Sequence, residues 1–142
     1  MITRVLVNLI QDFKGQEMKT ERQKFVKILD DLFREIIRKR DKVCQRSGKR
    51  DNLQVAHFFT RSNLTTRWDE MNAVLLNAGI HNWWAHSKYE EYRDWFILHI
   101  GQQEFERLKL KNRCRGTIHT SELRLLKIAL KKRLSELRGV TR

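Results

Sequence analysis

An α+β fold, with a small ββα unit embedded in a mostly helical single domain, is predicted by three features of this chain. Apolar residues recur at helical spacing towards both ends. Between them lie two short strand-like runs separated by a polar stretch, and a helical pattern succeeds the second run directly.

The first dozen residues, including Ile2-Thr3-Arg4-Val5-Leu6-Val7-Asn8-Leu9-Ile10, suit a strand or a helix, and Gly15 breaks them from the next segment. From Thr20 to about Arg40, the residues Phe25, Ile28, Leu29, Leu32, Phe33, Ile36 and Ile37 recur at helical spacing, which predicts an amphipathic helix. Arg34, Arg38, Lys39, Arg40 and Lys42 crowd its end. Cations there either complement the helix dipole or form a patch that contacts phosphate.

Ser47-Gly48-Lys49-Arg50-Asp51-Asn52 reads as a turn before a strand, Leu53-Gln54-Val55-Ala56-His57-Phe58. Ala73-Val74-Leu75-Leu76 reads as the return strand, and a helical pattern runs on from His81. Trp83, Trp84, Tyr89, Tyr92, Trp95 and Phe96 come next at helical spacing, which favours core packing over stacking on unpaired bases. His99 reads as a structural or surface histidine and Gly101 as a helix stop, with a short helix over residues 102–111. Thr120-Ser121-Glu122 is a helix-start signal, and Leu123, Leu126, Leu130, Leu134 and Leu137 form a stripe opposite Lys127, Lys131, Lys132 and Arg133. Such a helix caps its own domain, or it pairs with a second copy in a homodimer.

With 142 residues, no proline, no repeat and no low-complexity tract, the chain reads as one domain over 1–142. Its parts are an N-terminal helical region (1–40), a ββα core (41–100) and a C-terminal helical region (101–142). Thirty Lys and Arg against 17 acidic residues give a net charge of +13, the balance of a protein that neutralises phosphates. Two cysteines, Cys44 and Cys114, make no disulfide framework, so a reducing compartment is expected. The apolar stretch near the start is interrupted by Arg4 and Asn8, which argues against a membrane span or signal peptide. The expected location is the cytoplasm, with no membrane partner.

The densest chemistry lies between Leu53 and His86, which sets His57, Asn72 and His81 in order. Phosphodiester hydrolysis needs a base for water, a cation at the scissile phosphate and a scaffold holding the two apart. The runs AHFFTR, TRWDEMN and IHNWWAH together resemble the HNH (His-Me finger) endonuclease family. The similarity is to its phage-type members, including the NinG/Rap recombination nucleases, and covers about Lys39 to Leu110.

The resemblance implies a ββα-metal (HNH) core and a metal-dependent endonuclease acting on duplex or branched DNA. It implies His57 as general base, Asn72 as the brace of the hairpin loop and His81 as a metal ligand, with His86 a further ligand. One divalent metal ion, Mg²⁺ or Mn²⁺, is the expected cofactor. Arg61 and Arg67 flank the loop: phosphate contact is favoured for Arg61, while Arg67 suits either phosphate or an ion pair with Asp69 or Glu70. Arg38, Arg40 and Lys42 complete the expected DNA-binding set.

The chain departs from the family pattern twice. Ala56 stands where many members carry a metal ligand, leaving Asp69 as the nearest replacement. Cys44 and Ser47, then Asn77 and Ile80, stand where many carry two CxxC pairs, so no structural zinc is expected and packing takes its place. The alternative reading is a catalytically silent DNA-binding module of the same shape.

Overall fold

Thr20 and Gln23 open the first long helix with a reciprocal cap. The Thr20 hydroxyl accepts from the Gln23 backbone N–H (3.2 Å) and the Gln23 side chain accepts from the Thr20 N–H (2.9 Å). The helix is α1 (Glu21–Asp41), and it buries Leu29, Phe33, Ile36 and Ile37. It ends where the Lys42 N–H bonds to the Arg38 carbonyl and the Val43 N–H to the Asp41 carbonyl (3.0 and 2.7 Å). The second bond closes a γ-turn with Lys42 at φ +66°, a conformation that L residues rarely adopt.

The computed structural model describes residues 3–8 and 20–139. Residues 3–8 are helical, with Val5, Leu6 and Val7 exposed; the rest of the first dozen residues and Gly15 lie outside the described residues.

The sheet has two antiparallel strands, β1 (Leu53–His57) and β2 (Ala73–Asn77), in a register that sets Leu53 opposite Asn77 and His57 opposite Ala73. The expected strands are therefore present, each differing by one residue at its end. β2 is buried along its whole length because both its faces are covered. Ala73 and Leu75 point into a core with Leu29, Phe33, Ile36 and Ile37 of α1, whereas Val74 and Leu76 point into a second core with Trp84, Tyr92, Phe96 and Phe105.

The connection between the strands is not a tight hairpin. It carries a short helix, α2 (Leu64–Arg67), and a 3₁₀ turn at Glu70–Asn72. After β2 come a π-helical turn at Ile80–Ala85, then α3 (Tyr89–Ile100), α4 (Gln102–Arg113) and α5 (Thr120–Gly139). Gly101, at φ +90°, is the stop between α3 and α4, in a conformation that suits glycine.

The leucine stripe of α5 packs on α1: Leu123, Leu130 and Leu134 are buried in the first core, with Leu126 and Leu137 at its edge. This apolar face is used within the chain, so it is not a free surface for pairing with a second copy. Half of the aromatic group is core, with Trp95 packed partly buried against it. Trp84, Tyr92 and Phe96 are buried, while Trp83 and Tyr89 stay exposed. Among the described residues, no helix is long and apolar enough to cross a membrane.

Candidate active site

His57 ends β1, where the strand gives way to the long connection. Its Nε2 lies 2.8 Å from the Arg67 carbonyl oxygen. A carbonyl only accepts, so the proton sits on Nε2 and Nδ1 keeps its lone pair. The ring stacks on Phe33 of α1 at 5.4 Å. Burial pushes the His57 pKa below its ordinary value, and the positive charges of Arg61 and Arg67 push the same way, against the opposing pull of the Arg67 carbonyl and Asp30. The result is a neutral imidazole with a fixed tautomer.

Asn72 holds the backbone that holds His57. It is fully buried. Its Oδ1 accepts from the Phe59 N–H (2.8 Å), and its Nδ2 donates to the carbonyls of Phe59 (3.1 Å) and Thr66 (3.0 Å). One side chain thereby ties the start of the connection to residue 66, next to the Arg67 carbonyl that accepts the His57 hydrogen bond. A buried amide with all these bonds made is stable in place, and losing it would leave the Phe59 N–H and carbonyl without this partner.

Asp30 of α1 anchors the same loop from outside. Its carboxylate accepts from Arg67 Nε and Nη2 (2.9 and 2.6 Å), from Trp68 Nε1 (2.9 Å) and from Arg61 Nη2 (3.0 Å). Burial would raise its pKa, but these donors and their charges hold it below the ordinary carboxylate value. Arg67 is thus paired with a helix 37 residues away, not with Asp69 or Glu70 as its neighbours in sequence suggest. Arg61 makes one contact to Asp30 and its side chain remains about half exposed, which leaves it the freer of the two guanidinium groups.

His81 enters from the π-helical turn. Hydrogen bonding from i to i+5 widens such a turn, so residues five apart come to lie over one another. The rings of His81 and His86 are accordingly 5.1 Å apart. The His81 Nδ1 lies 3.0 Å from Gln54 Oε1 on β1. Burial, and then the neighbouring His86, lower the His81 pKa from its ordinary value.

His57, His81 and Gln54 line one open cleft of about 240 Å³, together with Asp30, Arg34, Arg38 and Arg61. Two imidazoles, each with one nitrogen held by an oxygen, face a rim richer in arginine than in carboxylate. This arrangement suits an anionic ligand and a proton transfer.

The other expected site residues are distributed unevenly. Arg38 lines the cleft and donates to the Leu53 carbonyl (3.2 Å). Arg40 turns inward instead: it forks onto Asp41 (2.7 and 3.0 Å) and donates to the carbonyls of Glu70 and Ala73 (2.5 and 2.7 Å). Lys42 is exposed at the γ-turn. Asp69 is drawn away from the cleft to α4, where Arg107 (2.9 and 3.1 Å) and Lys111 (2.8 Å) bind its carboxylate. Burial would raise the Asp69 pKa, but those two cations and the Met71 N–H bring it down to about 2. Asp69, expected as a metal ligand, is thus bound by two cations and does not line the cleft with His57 and His81, and Ala56 is buried in the second core.

Cys44 is buried. Burial would push its thiol up, but the Ser47 hydroxyl and the backbone N–H groups of Asn77, Ser47 and Arg46 hold it below its ordinary value. Polar and apolar packing therefore surround this sulfur.

Asp30 and Gln54 were not among the expected site residues. Asp30 did leave a signal, because Asp30, Arg34 and Arg38 sit at i, i+4 and i+8 on one edge of α1, beside the apolar stripe. Gln54 left only a weak one: it alternates with Ala56 on the same face of β1.

His81 and His86, with rings 5.1 Å apart, are the imidazoles here that could hold a divalent metal. Among the described residues no group of three or more His, Cys, Asp or Glu side chains is arranged to hold a metal. No protein-family model matches this chain, and no curated protein or solved structure matches it.

Proposed function

We propose that this protein is a metal-assisted endonuclease of the HNH type that hydrolyses phosphodiester bonds in DNA. One observation carries the reading: His57 and His81 line the same arginine-rimmed cleft, and the loop carrying the His57 hydrogen-bond acceptor is stapled by Asn72. The order of the three residues along the chain and the resemblance in their flanking motifs support it.

In this reading the His57 Nδ1 accepts a proton from the attacking water, and the Nε2–H bond to the Arg67 carbonyl keeps the imidazole oriented. A base with a lowered pKa is unprotonated, and so ready, at neutral pH. Arg61, Arg38 and Arg34 bind the phosphate flanking the cleavage point, with Arg61 leaving its single Asp30 contact to do so. Arg67 stays locked to Asp30 and serves the loop. His81 and His86 would hold one divalent metal ion, which when bound supplies Lewis acidity at the phosphate and charge relief for the leaving oxygen.

The test is cleavage of linear duplex, single-stranded and four-way-junction DNA by wild type and His57→Ala, each with Mg²⁺, Mn²⁺, Co²⁺ or EDTA. Metal-dependent cutting that His57→Ala abolishes is the expected result. Tight binding without cutting under any metal would instead make the chain a silent DNA-binding module, a reading that the alanine at position 56 favours.

A further inference from the structure

The two cleft histidines are fixed in opposite tautomers. His57 donates a hydrogen bond from Nε2–H to the Arg67 carbonyl and keeps a lone pair on Nδ1. His81 is held the other way round: its Nδ1 faces the Gln54 side-chain oxygen at 3.0 Å. An amide oxygen has no proton to give, so Nδ1 carries the hydrogen and Nε2 keeps the lone pair. Metal-binding histidines recurrently donate their second ring N–H to such an acceptor, which sets the tautomer and orients the ring.

The strand geometry explains why Gln54 fills this role. Alternation puts Gln54 and Ala56 on one face of β1, and the Ala56 side chain is a methyl group buried in the second core with Trp84 and Ala85. Gln54, two residues earlier and exposed, has the length to reach His81. The π-helical turn adds the second imidazole, with the His86 ring 5.1 Å from that of His81. Carboxylates are otherwise engaged: Asp30 in the cleft is bound by Arg67, Trp68 and Arg61, and Asp69 by Arg107 and Lys111. Mg²⁺ favours oxygen donors, above all carboxylates, whereas imidazole suits later first-row ions.

We infer that Gln54 is a positioning residue that presents His81 Nε2, alongside His86, as a two-imidazole site for a borderline divalent ion such as Co²⁺ or Ni²⁺ in preference to Mg²⁺. The inference rests on reading the cleft as a metal-dependent site.

Its test uses the full chain and two readouts that need no DNA. Long-range ¹⁵N NMR of the metal-free protein reports which ring nitrogen of His81 is protonated, and calorimetry measures Co²⁺ and Mg²⁺ binding to wild type, Gln54→Leu and Gln54→Glu. Wild type shows the Nδ1–H form and binds Co²⁺ at least about tenfold more tightly than Mg²⁺. Gln54→Leu loses the fixed tautomer and about 10- to 100-fold in Co²⁺ affinity, the usual effect of removing such a partner. Gln54→Glu, which keeps an acceptor, retains both. Because Gln54 is exposed, an unchanged unfolding midpoint will show that the leucine variant is folded.

A wild-type His81 protonated on Nε2, an unchanged Co²⁺ affinity in Gln54→Leu, or no Co²⁺ binding by wild type would each overturn the inference. DNA cleavage that depends on His57 but not on Gln54 would leave the nuclease reading standing alone. Gln54-dependent Co²⁺ binding without any cleavage would do the reverse.

Discussion

Asn72 makes three hydrogen bonds with no exposed surface, and its partners are backbone groups of Phe59 and Thr66, the latter next to the Arg67 acceptor that orients His57. Asn72→Ala takes from the Phe59 N–H and carbonyl the partner they have inside the protein and is expected to lower stability by about 2–4 kcal/mol. Urea unfolding checks this; a loss under about 0.5 kcal/mol, as at an ordinary surface site, would refute the bracing role. His57 makes a different prediction. Its folded pKa lies below the ordinary value, so the base stays neutral into mildly acidic solution, and the acid limb of kcat/KM for DNA cleavage should fall below pH 6.5. The same shift sets the sign of the effect on stability. Below about pH 6.5 the unfolded chain takes up the His57 proton before the folded protein does, so this group costs stability as pH falls towards its folded pKa. Thermal midpoints from about pH 8 to about pH 5 should decline less in His57→Ala than in wild type.

α1 separates the basic residues at its end into two kinds. Arg40 fills a buried fork with Asp41, whose Oδ2 also accepts the Leu75 N–H at 2.9 Å, so the helix end is riveted to β2. Arg40→Ala should destabilise by about 3 kcal/mol, because it strands a nearly buried carboxylate. Arg38→Ala should leave the unfolding midpoint unchanged and instead weaken DNA binding, lowering the slope of log K against log salt by about one. Equal effects of the two substitutions on binding would show that this partition is wrong. At the γ-turn beyond the helix, Lys42→Gly removes the side-chain clash at φ +66° and should raise stability by up to about 1 kcal/mol in chemical unfolding.

The molecule as a whole is a sheet of two strands clamped between two apolar cores, with α1 and α5 on one side and α3 and α4 on the other. Ion pairs fasten the long connection to both sides: Arg67 to Asp30 of α1, and Asp69 to Arg107 and Lys111 of α4. The Asp69 pKa of about 2 lies below its ordinary 3.8, so its stabilising effect is present above pH 3.8 and is lost as pH falls from there towards 2. The shift corresponds to about 2 kcal/mol. Asp69→Asn should be less stable than wild type at neutral pH, and the two should converge near pH 2 in acid unfolding. A constant gap across that range would count against the ion-pair account. The net charge of +13 predicts DNA affinity that falls steeply between low and physiological salt.

Periodicity and capping are local, and so α1, both strands, α3, α4 and α5 could be read from the residues to within a few positions. The order of His57, Asn72 and His81 relative to those elements could be read in the same way. The short helix within the connection escaped because so brief a run shows no period, and the π-helical turn escaped because its extra residue is invisible in composition. Ion-pair partners were the least legible part. Arg67 had acidic neighbours just beyond it in sequence, yet packing brought Asp30 closer, and Asp69 was claimed by α4. The leucine stripe announced an apolar face, but which helix would cover it depended on the whole chain closing around the sheet. Backbone conformation and amphipathic faces are set by neighbouring residues, whereas the pairing of charges and the meeting of two histidines across a cleft depend on distances that exist only after the cores have packed.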